Sequence, residues 1–150
     1  MKLLFDSSVW IDHLRYGALD DVIPALRGRF TLWLDSVVMA ELSAGCRSKP
    51  ERRIVERLVA PFERSGRIAT PLHADFRKAA AALSALRSRG KTLASPGGAL
   101  LDALIMAIAG RMGALVVSTN LRDFAALSPQ IPATYHPFPV FLERVLAVRR

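Results

Sequence analysis

The chain has few of the residues that disulfide frameworks, zinc sites and membrane spans require. Its one cysteine, Cys46, excludes an intramolecular disulfide and suits a reducing compartment. Its three histidines are too scattered in sequence to predict a zinc site. No uncharged apolar run approaches the roughly 18 residues that cross a bilayer, and MKLLFD reaches Asp6 too early for a secretory signal. We therefore expect a cytoplasmic protein with no membrane segment.

Acidic residues are also the minority. Lys and Arg total 21 against 13 Asp and Glu, which gives a net charge of +8. This excess favours a polyanionic partner such as nucleic acid, or an acidic protein segment. A solvated basic surface explains the charge equally well, so charge alone does not identify the chemistry.

What the chain does contain is an alternation of short β-like runs with helical patterns. At 150 residues and 51% hydrophobic composition, it is expected to form a single domain, 1–150. Alternation with long crossovers predicts an α/β fold around a mostly parallel sheet. The predicted strands are KLLF (2–5), FTLWL (30–34), RIATP (67–71), ALVVS (114–118) and an edge strand near 134–136. The predicted helices begin near Ser7, Asp35 or Ser36, Pro50, His73 and Gly98, and residues from about 139 to 150 form a docked helix or a tail.

One of these helices, GALLDALIMAIAG (98–110), is apolar on every face and carries a single charge, Asp102. Such helices are normally buried. An unpaired carboxylate there costs several kcal/mol, by order of magnitude, or takes up a proton. The helix macrodipole offsets only about 0.3–1 kcal/mol of this cost. The sequence therefore predicts that another group holds this charge.

Two further acids stand alone in apolar segments near the ends of predicted strands. Asp6 follows KLLF, and Glu41 lies in SVVMAELSAG, one helix beyond FTLWL. The strand ALVVS is followed by Asn120 and Asp123. Since ligands bind at the carboxyl ends of parallel strands, we expect these positions to face one edge of the sheet. Each has a simpler explanation alone, as a helix cap or as the partner of an arginine.

If the acids converge, they require a cation. Carboxylates about 4 Å apart repel one another by roughly 4 kcal/mol per pair at an effective dielectric of 20. Oxygen ligands without histidine or cysteine favour hard ions such as Mg²⁺ or Mn²⁺. Such an ion can activate a water that attacks phosphorus. On a basic protein, this chemistry points to phosphodiester hydrolysis.

Four segments in this order and spacing, LLFDSSVWI, VVMAELSAG, LLDALIMAIAG and VVSTNLRDF, resemble the PIN-domain ribonucleases, in particular VapC-type toxins of bacterial toxin–antitoxin pairs. The resemblance extends from Met1 to about Phe138. It implies a Rossmann-like, three-layer α/β/α fold and Mg²⁺- or Mn²⁺-dependent cleavage of RNA. It also implies a homodimer and an antitoxin that blocks the site.

Carried over by position, the resemblance implies that Asp6, Glu41 and Asp102 hold the metal. The fourth acidic position is ambiguous, because many relatives have Asp where this chain has Asn120. We favour Asp123 as the fourth catalytic acid with Asn120 assisting, and one bound metal ion over two. Hydroxyl groups that support the site are expected from Ser7, Ser8 and Thr119. RNA-binding candidates at loops or helix ends are Arg15, Arg87, Arg89, Lys91 and Arg122.

Two other functions compete with the nuclease. A phosphatase or phosphotransferase would use Asp6 as nucleophile, but it usually needs a second Asp two positions later, where this chain has Ser8. A non-catalytic, basic nucleic-acid-binding module would use the same acids only for structure. It predicts that replacing Asp6 or Asp102 by Asn leaves activity unchanged or simply destabilises the fold.

Overall fold

The computed structural model describes residues 1–90 and 96–147. Five parallel strands form one sheet in the order β3-β2-β1-β4-β5. The strands are β1 (Lys2–Phe5), β2 (Thr31–Asp35), β3 (Ile68–Ala69), β4 (Ala114–Ser118) and β5 (Thr134–Pro137). Helices cover both sides of the sheet, which confirms the predicted α/β class. The sheet, which was predicted to be mostly parallel, is entirely parallel.

Eight helices are assigned in the described residues. They are α1 (Ser7–Tyr16), α2 (Val22–Leu26), α3 (Ser36–Ala44), α4 (Lys49–Arg64), α5 (His73–Ser88), α6 (Pro96–Met112), α7 (Arg122–Leu127) and α8 (Phe138–Leu146). The short helices α2 and α7 were not predicted, and neither has a side-chain cap. The C-terminal segment forms a docked helix rather than a tail, because Phe138, Phe141 and Val145 bury one face of α8.

The strand order places β1 beside β4 at the centre of the sheet. From β1 the chain moves outward to β2 and β3, and from β4 it moves outward to β5 on the other side. In doubly wound sheets, this reversal of strand order opens a crevice at the carboxyl ends of the two central strands. Phe5 pairs with Val117, so Asp6 and Ser118 lie next to each other at this crevice.

Helix α6 is the buried helix that its apolar sequence predicts. Residues 103–109 are all buried, and β4 beside it is buried along its whole length. The helix ends close to the chain before β5, where a Cβ on Gly110 would lie 2.6 Å from the carbonyl oxygen of Pro132. Glycine is therefore required at this position for α6 to pack where it does.

Side-chain caps fix the starts of the helices around the crevice. Asp6 accepts from the Ser7 amide to cap α1, and Asp35 accepts from the Val37 amide to cap α3. Asp35, rather than Ser36, is thus the cap of α3. In the described part of the chain, no helix combines the length and the apolar character that a membrane span needs.

Candidate active site

Asp6 follows the end of β1, and its carboxylate accepts four hydrogen bonds, the longest of them from the Ser7 hydroxyl to Oδ1 at 3.4 Å. Its Oδ1 accepts from the Ser7 amide at 2.7 Å. Its Oδ2 accepts from the hydroxyl groups of Ser8 at 2.9 Å and Ser118 at 2.8 Å. Because Asp6 is only 5% exposed, these donors both compensate for the buried charge and fix the orientation of the carboxylate.

Ser118, the last residue of β4, is a site residue that the sequence analysis did not predict. It is completely buried, and its hydroxyl accepts from the Asn120 amide at 3.0 Å while it donates to Asp6. Of the predicted residues, Ser8 contacts Asp6 directly, whereas Thr119 is exposed and contributes its backbone amide to the Ser8 hydroxyl at 3.2 Å. A hydroxyl that ends an otherwise apolar, buried strand was the signal available in ALVVS.

Glu41 lies near the middle of α3 and is partly buried. Burial raises the pKa of its carboxyl above the ordinary value, and the charge of Asp6 raises it further. A hydrogen bond from the Ser7 side chain acts in the opposite direction and lowers it. The Ser7 hydroxyl, which also donates to Oδ1 of Asp6 at 3.4 Å, therefore lies between the end of β1 and α3 and close to both acids.

Asp102 lies on the part of α6 that faces the same crevice. Burial, followed by the charges of Asp6, Asp123 and Glu41 in that order, raises the pKa of its carboxyl from 3.8 to about 7. Acids from β1, α3, α6 and α7 thus act on one another electrostatically. The four acids that the sequence analysis selected therefore lie close enough for their charges to interact.

Asp123 and Asn120, the two candidates for the fourth position, differ in their surroundings. Asp123 is 4% exposed, and its Oδ1 is buried with no hydrogen-bond partner. Asn120 is exposed and interacts through its backbone, donating to and accepting from the Ser118 hydroxyl. A buried carboxylate oxygen without a donor is destabilising unless a cation or a proton compensates for it.

Basic side chains do not neutralise these acids within residues 1–90 and 96–147. The ion pairs found there join Arg111 to Asp75 and His13 to Asp20. In the same residues, no three His, Cys, Asp or Glu side chains are grouped closely enough to form a ready-made metal site. The charges of the four acids therefore interact, but in the described residues their side chains do not close around one point.

The predicted RNA-binding cations lie at the surface. Arg15 is in the last turn of α1, Arg87 and Arg89 are at the end of α5, and Arg122 begins α7; all four are exposed. Lys91 lies outside the described residues. Arg15 alone of these also lines a groove that reaches Glu41.

A doubly wound, parallel α/β sheet with four coupled acids at its switch point defines the class of protein. The family model for the PIN domain matches residues 3–128. The chain therefore belongs to the PIN-domain family, as its four segments predicted.

Solved structures of the same fold support this assignment. VapBC2 from Rickettsia felis bound to a promoter DNA fragment has 16% identity, a TM-score of 0.68, and coverage of 92% of this chain and 99% of its own. DNA-bound VapBC from Salmonella typhimurium has 18% identity and a TM-score of 0.66, and the match covers 91% of this chain and 98% of that one. FitAcB from Neisseria gonorrhoeae has 22% identity, a TM-score of 0.64, and coverage of 90% and 96%. No curated protein matches the chain by sequence.

Proposed function

We propose that this protein is a Mg²⁺- or Mn²⁺-dependent endoribonuclease that acts as the toxin of a toxin–antitoxin pair. The observation that carries the proposal is Asp102, a half-buried acid on an apolar helix that has no basic partner in the described chain. Burial first, and then three other carboxylates, raise its pKa. Such an arrangement is destabilising by itself and is compensated by a divalent cation.

The donor set fits a hard cation. Asp6, Glu41 and Asp102 would hold the ion and Asp123 would assist, since all four provide carboxylate oxygens and one oxygen of Asp123 is buried without a partner. When bound, a Mg²⁺ or Mn²⁺ ion lowers the pKa of a coordinated water and stabilises negative charge on a phosphoryl group. One ion is proposed rather than two, because Asn120 stands where many relatives have a further acid.

The chain's own residues contribute orientation and binding. Ser8 and Ser118 fix the Asp6 carboxylate, and the Asn120 amide fixes the Ser118 hydroxyl. Burial and the neighbouring carboxylates raise the pKa of Asp102 to about 7, so this carboxyl can accept a proton near neutral pH when the cation is absent. Exposed arginines and the net charge of +8 favour an RNA backbone as substrate.

The antitoxin partner is supported by the structural relatives. Two of the three structures described above are named as VapBC proteins bound to DNA. By analogy, we propose that a cognate antitoxin binds this chain and blocks its acidic crevice, that the chain forms a homodimer, and that it acts in the cytoplasm.

The direct test is incubation of the purified protein with mixed RNA in Mg²⁺, without added metal, and with EDTA, followed by mapping of the cut ends. We expect internal cuts that require the divalent ion. RNA binding without any cleavage in Mg²⁺ or Mn²⁺ would instead support the non-catalytic nucleic-acid-binding module.

Metal binding should also be visible without RNA. We expect millimolar Mn²⁺ to raise the melting temperature, because an ion that binds only the folded state adds RT ln(1 + [L]/Kd) to stability. An ion at 100 times its Kd adds about 2.7 kcal/mol. The Asp102→Asn variant, measured by the same thermal melts, should show a much smaller shift. Equal shifts in the two proteins would argue against Asp102 as a ligand.

Ser118→Ala tests the orientation of Asp6. The substitution removes the 2.8 Å hydrogen bond to Oδ2 and leaves the Ser8 bond, so we expect cleavage to fall about 10- to 100-fold, as for other residues that orient a metal ligand. Ser118→Thr keeps the hydroxyl, so we expect it to show the wild-type requirement for Mn²⁺ and most of the wild-type cleavage rate. Ser88→Ala removes an exposed hydroxyl that bonds to Ala85 and serves as the control. A wild-type metal dependence and rate in Ser118→Ala would contradict this role.

A further inference from the structure

A groove lies beside the acidic crevice, between α1, α3 and α4. Its volume is about 460 Å³. Aliphatic side chains from all three helices form its floor: Ile11, Leu14, Leu42, Ile54 and Val55. Ile54 is 47% exposed, which is unusual for a residue in an apolar stripe that is otherwise largely buried. Leaving such a surface in water is unfavourable, so the groove is suited to a flat, apolar group.

The groove is continuous with the candidate active site. Glu41, which is electrostatically coupled to Asp6, is also one of the residues that line the groove. A molecule in the groove therefore lies next to the position where a scissile phosphate would be hydrolysed. The other acid in the lining is Glu51. Its Oε2 already accepts hydrogen bonds from the backbone amides of Arg47 and Ser48.

Two arginines stand at the rim of this groove. Arg15 comes from the end of α1 and Arg47 from the segment between α3 and α4, and both are exposed. Neither forms an ion pair within residues 1–90 and 96–147. Their guanidinium groups are thus free to bind a phosphate, which they recognise well through paired N–H donors.

We propose that the groove binds one unpaired nucleotide of single-stranded RNA next to the cut. The base lies on the aliphatic floor around Ile54, and the phosphate that follows it is bound by Arg15 and Arg47. This inference rests on the proposed function, because it assigns a subsite to the same substrate. Contact with the face of the base and cationic contact with the backbone are the two components of single-strand recognition, and here aliphatic side chains take the place that aromatic ones usually occupy.

Binding is measured in EDTA, where no metal-dependent cleavage interferes. The probes are a short fluorescein-labelled single-stranded RNA of mixed sequence and an abasic ribose-phosphate chain of equal length. We expect Ile54→Ser to weaken RNA binding about fivefold and to leave abasic-chain binding unchanged, because only the base contacts the floor. Arg47→Gln and Arg15→Gln should weaken both probes and lower the salt slope by about 1 each.

Matched controls separate the groove from the general surface. Ile23→Ser changes another exposed isoleucine, on α2, and Arg64→Gln changes an exposed arginine at the end of α4 outside the groove. Both should bind RNA like the wild type. If Ile54→Ser binds RNA normally while its melting temperature is unchanged, or if the controls weaken binding equally, the inference is wrong.

The cleavage assay distinguishes the two proposals. If the wild type never cuts RNA but the groove variants lose RNA binding, the nuclease proposal is wrong and the subsite proposal stands. A protein that cuts RNA while its groove variants keep the wild-type KM would preserve the nuclease and reject the subsite. Groove variants that lose only a bound partner protein, with RNA binding intact, would also reject it.

Discussion

Asp102→Asn is expected to lower RNA cleavage by about 10²-fold or more while it stabilises the metal-free protein. The carboxylate is half-buried on an apolar helix, and burial together with Asp6, Asp123 and Glu41 raises its pKa to about 7. Asparagine has nearly the same shape and no charge, so both the desolvation cost and the repulsion disappear. Removing one preorganised group that stabilises developing charge typically costs 10²- to 10³-fold in rate.

The sign of the stability change follows from the direction of the pKa shift. A carboxyl whose pKa is higher in the folded state binds protons more tightly there, so stability falls as pH rises from about 4 to about 7. Above this range the wild type bears the full cost and the variant bears none. We expect Asp102→Asn to unfold at a higher urea concentration than the wild type at about pH 8, with little difference near pH 4.

Asp21→Asn is the matched control for this experiment. Asp21 is exposed and makes no side-chain capping bond at the start of α2. Its replacement should change neither cleavage nor stability. A variant Asp102→Asn that cuts RNA at the wild-type rate would remove Asp102 from the metal site, whatever its effect on stability. Loss of both activity and stability would indicate that the carboxylate is structural.

The fold was predictable from the sequence to the extent that each segment carries one consistent pattern. The buried run ALVVS and the all-apolar stretch around Asp102 have one plausible structure each, and both formed as predicted. The short helix α2 lies in a segment with a proline and no capping side chain, so its pattern is weak and tertiary packing decides its structure. The C-terminal helix α8 was ambiguous because its apolar face has meaning only once Phe141 packs on Phe5.

The four acids that interact through their charges could be selected from the sequence, because isolated charges in apolar segments are energetically unfavourable. Ser118 was harder to predict, because a hydroxyl that ends an apolar strand is only a weak signal, and its contact with Asp6 depends on the register that sets β1 beside β4. Arg47 was missed for the same reason. Its position at the groove depends on how α3 and α4 pack, which no local spacing encodes.

Asp35→Asn is expected to stabilise the protein at about pH 8 by up to about 4 kcal/mol, and to have little effect near pH 4. Asp35 is completely buried at the end of β2, and burial is the largest cause of a rise in its pKa from 3.8 to about 7. The folded state therefore binds this proton more tightly than the unfolded state. Stability from Asp35 is fully present below about pH 4 and is lost as pH rises toward 7.

Asparagine preserves the structural role of Asp35 while it removes the charge. The side-chain oxygen of asparagine can still accept from the Val37 amide at the start of α3. The other side-chain atom has no partner in either protein, because it takes the place of Oδ2 of Asp35, which is buried and unpaired. Asp35→Ala keeps neither the cap nor the charge, so it should be about 1 kcal/mol less stable than Asp35→Asn at every pH. Urea unfolding of the three proteins at about pH 4 and pH 8 measures these differences. If the wild type and Asp35→Asn lose stability in parallel between the two pH values, Asp35 is not the group whose burial opposes folding, and the pH dependence belongs to Asp102 and Glu41 at the site.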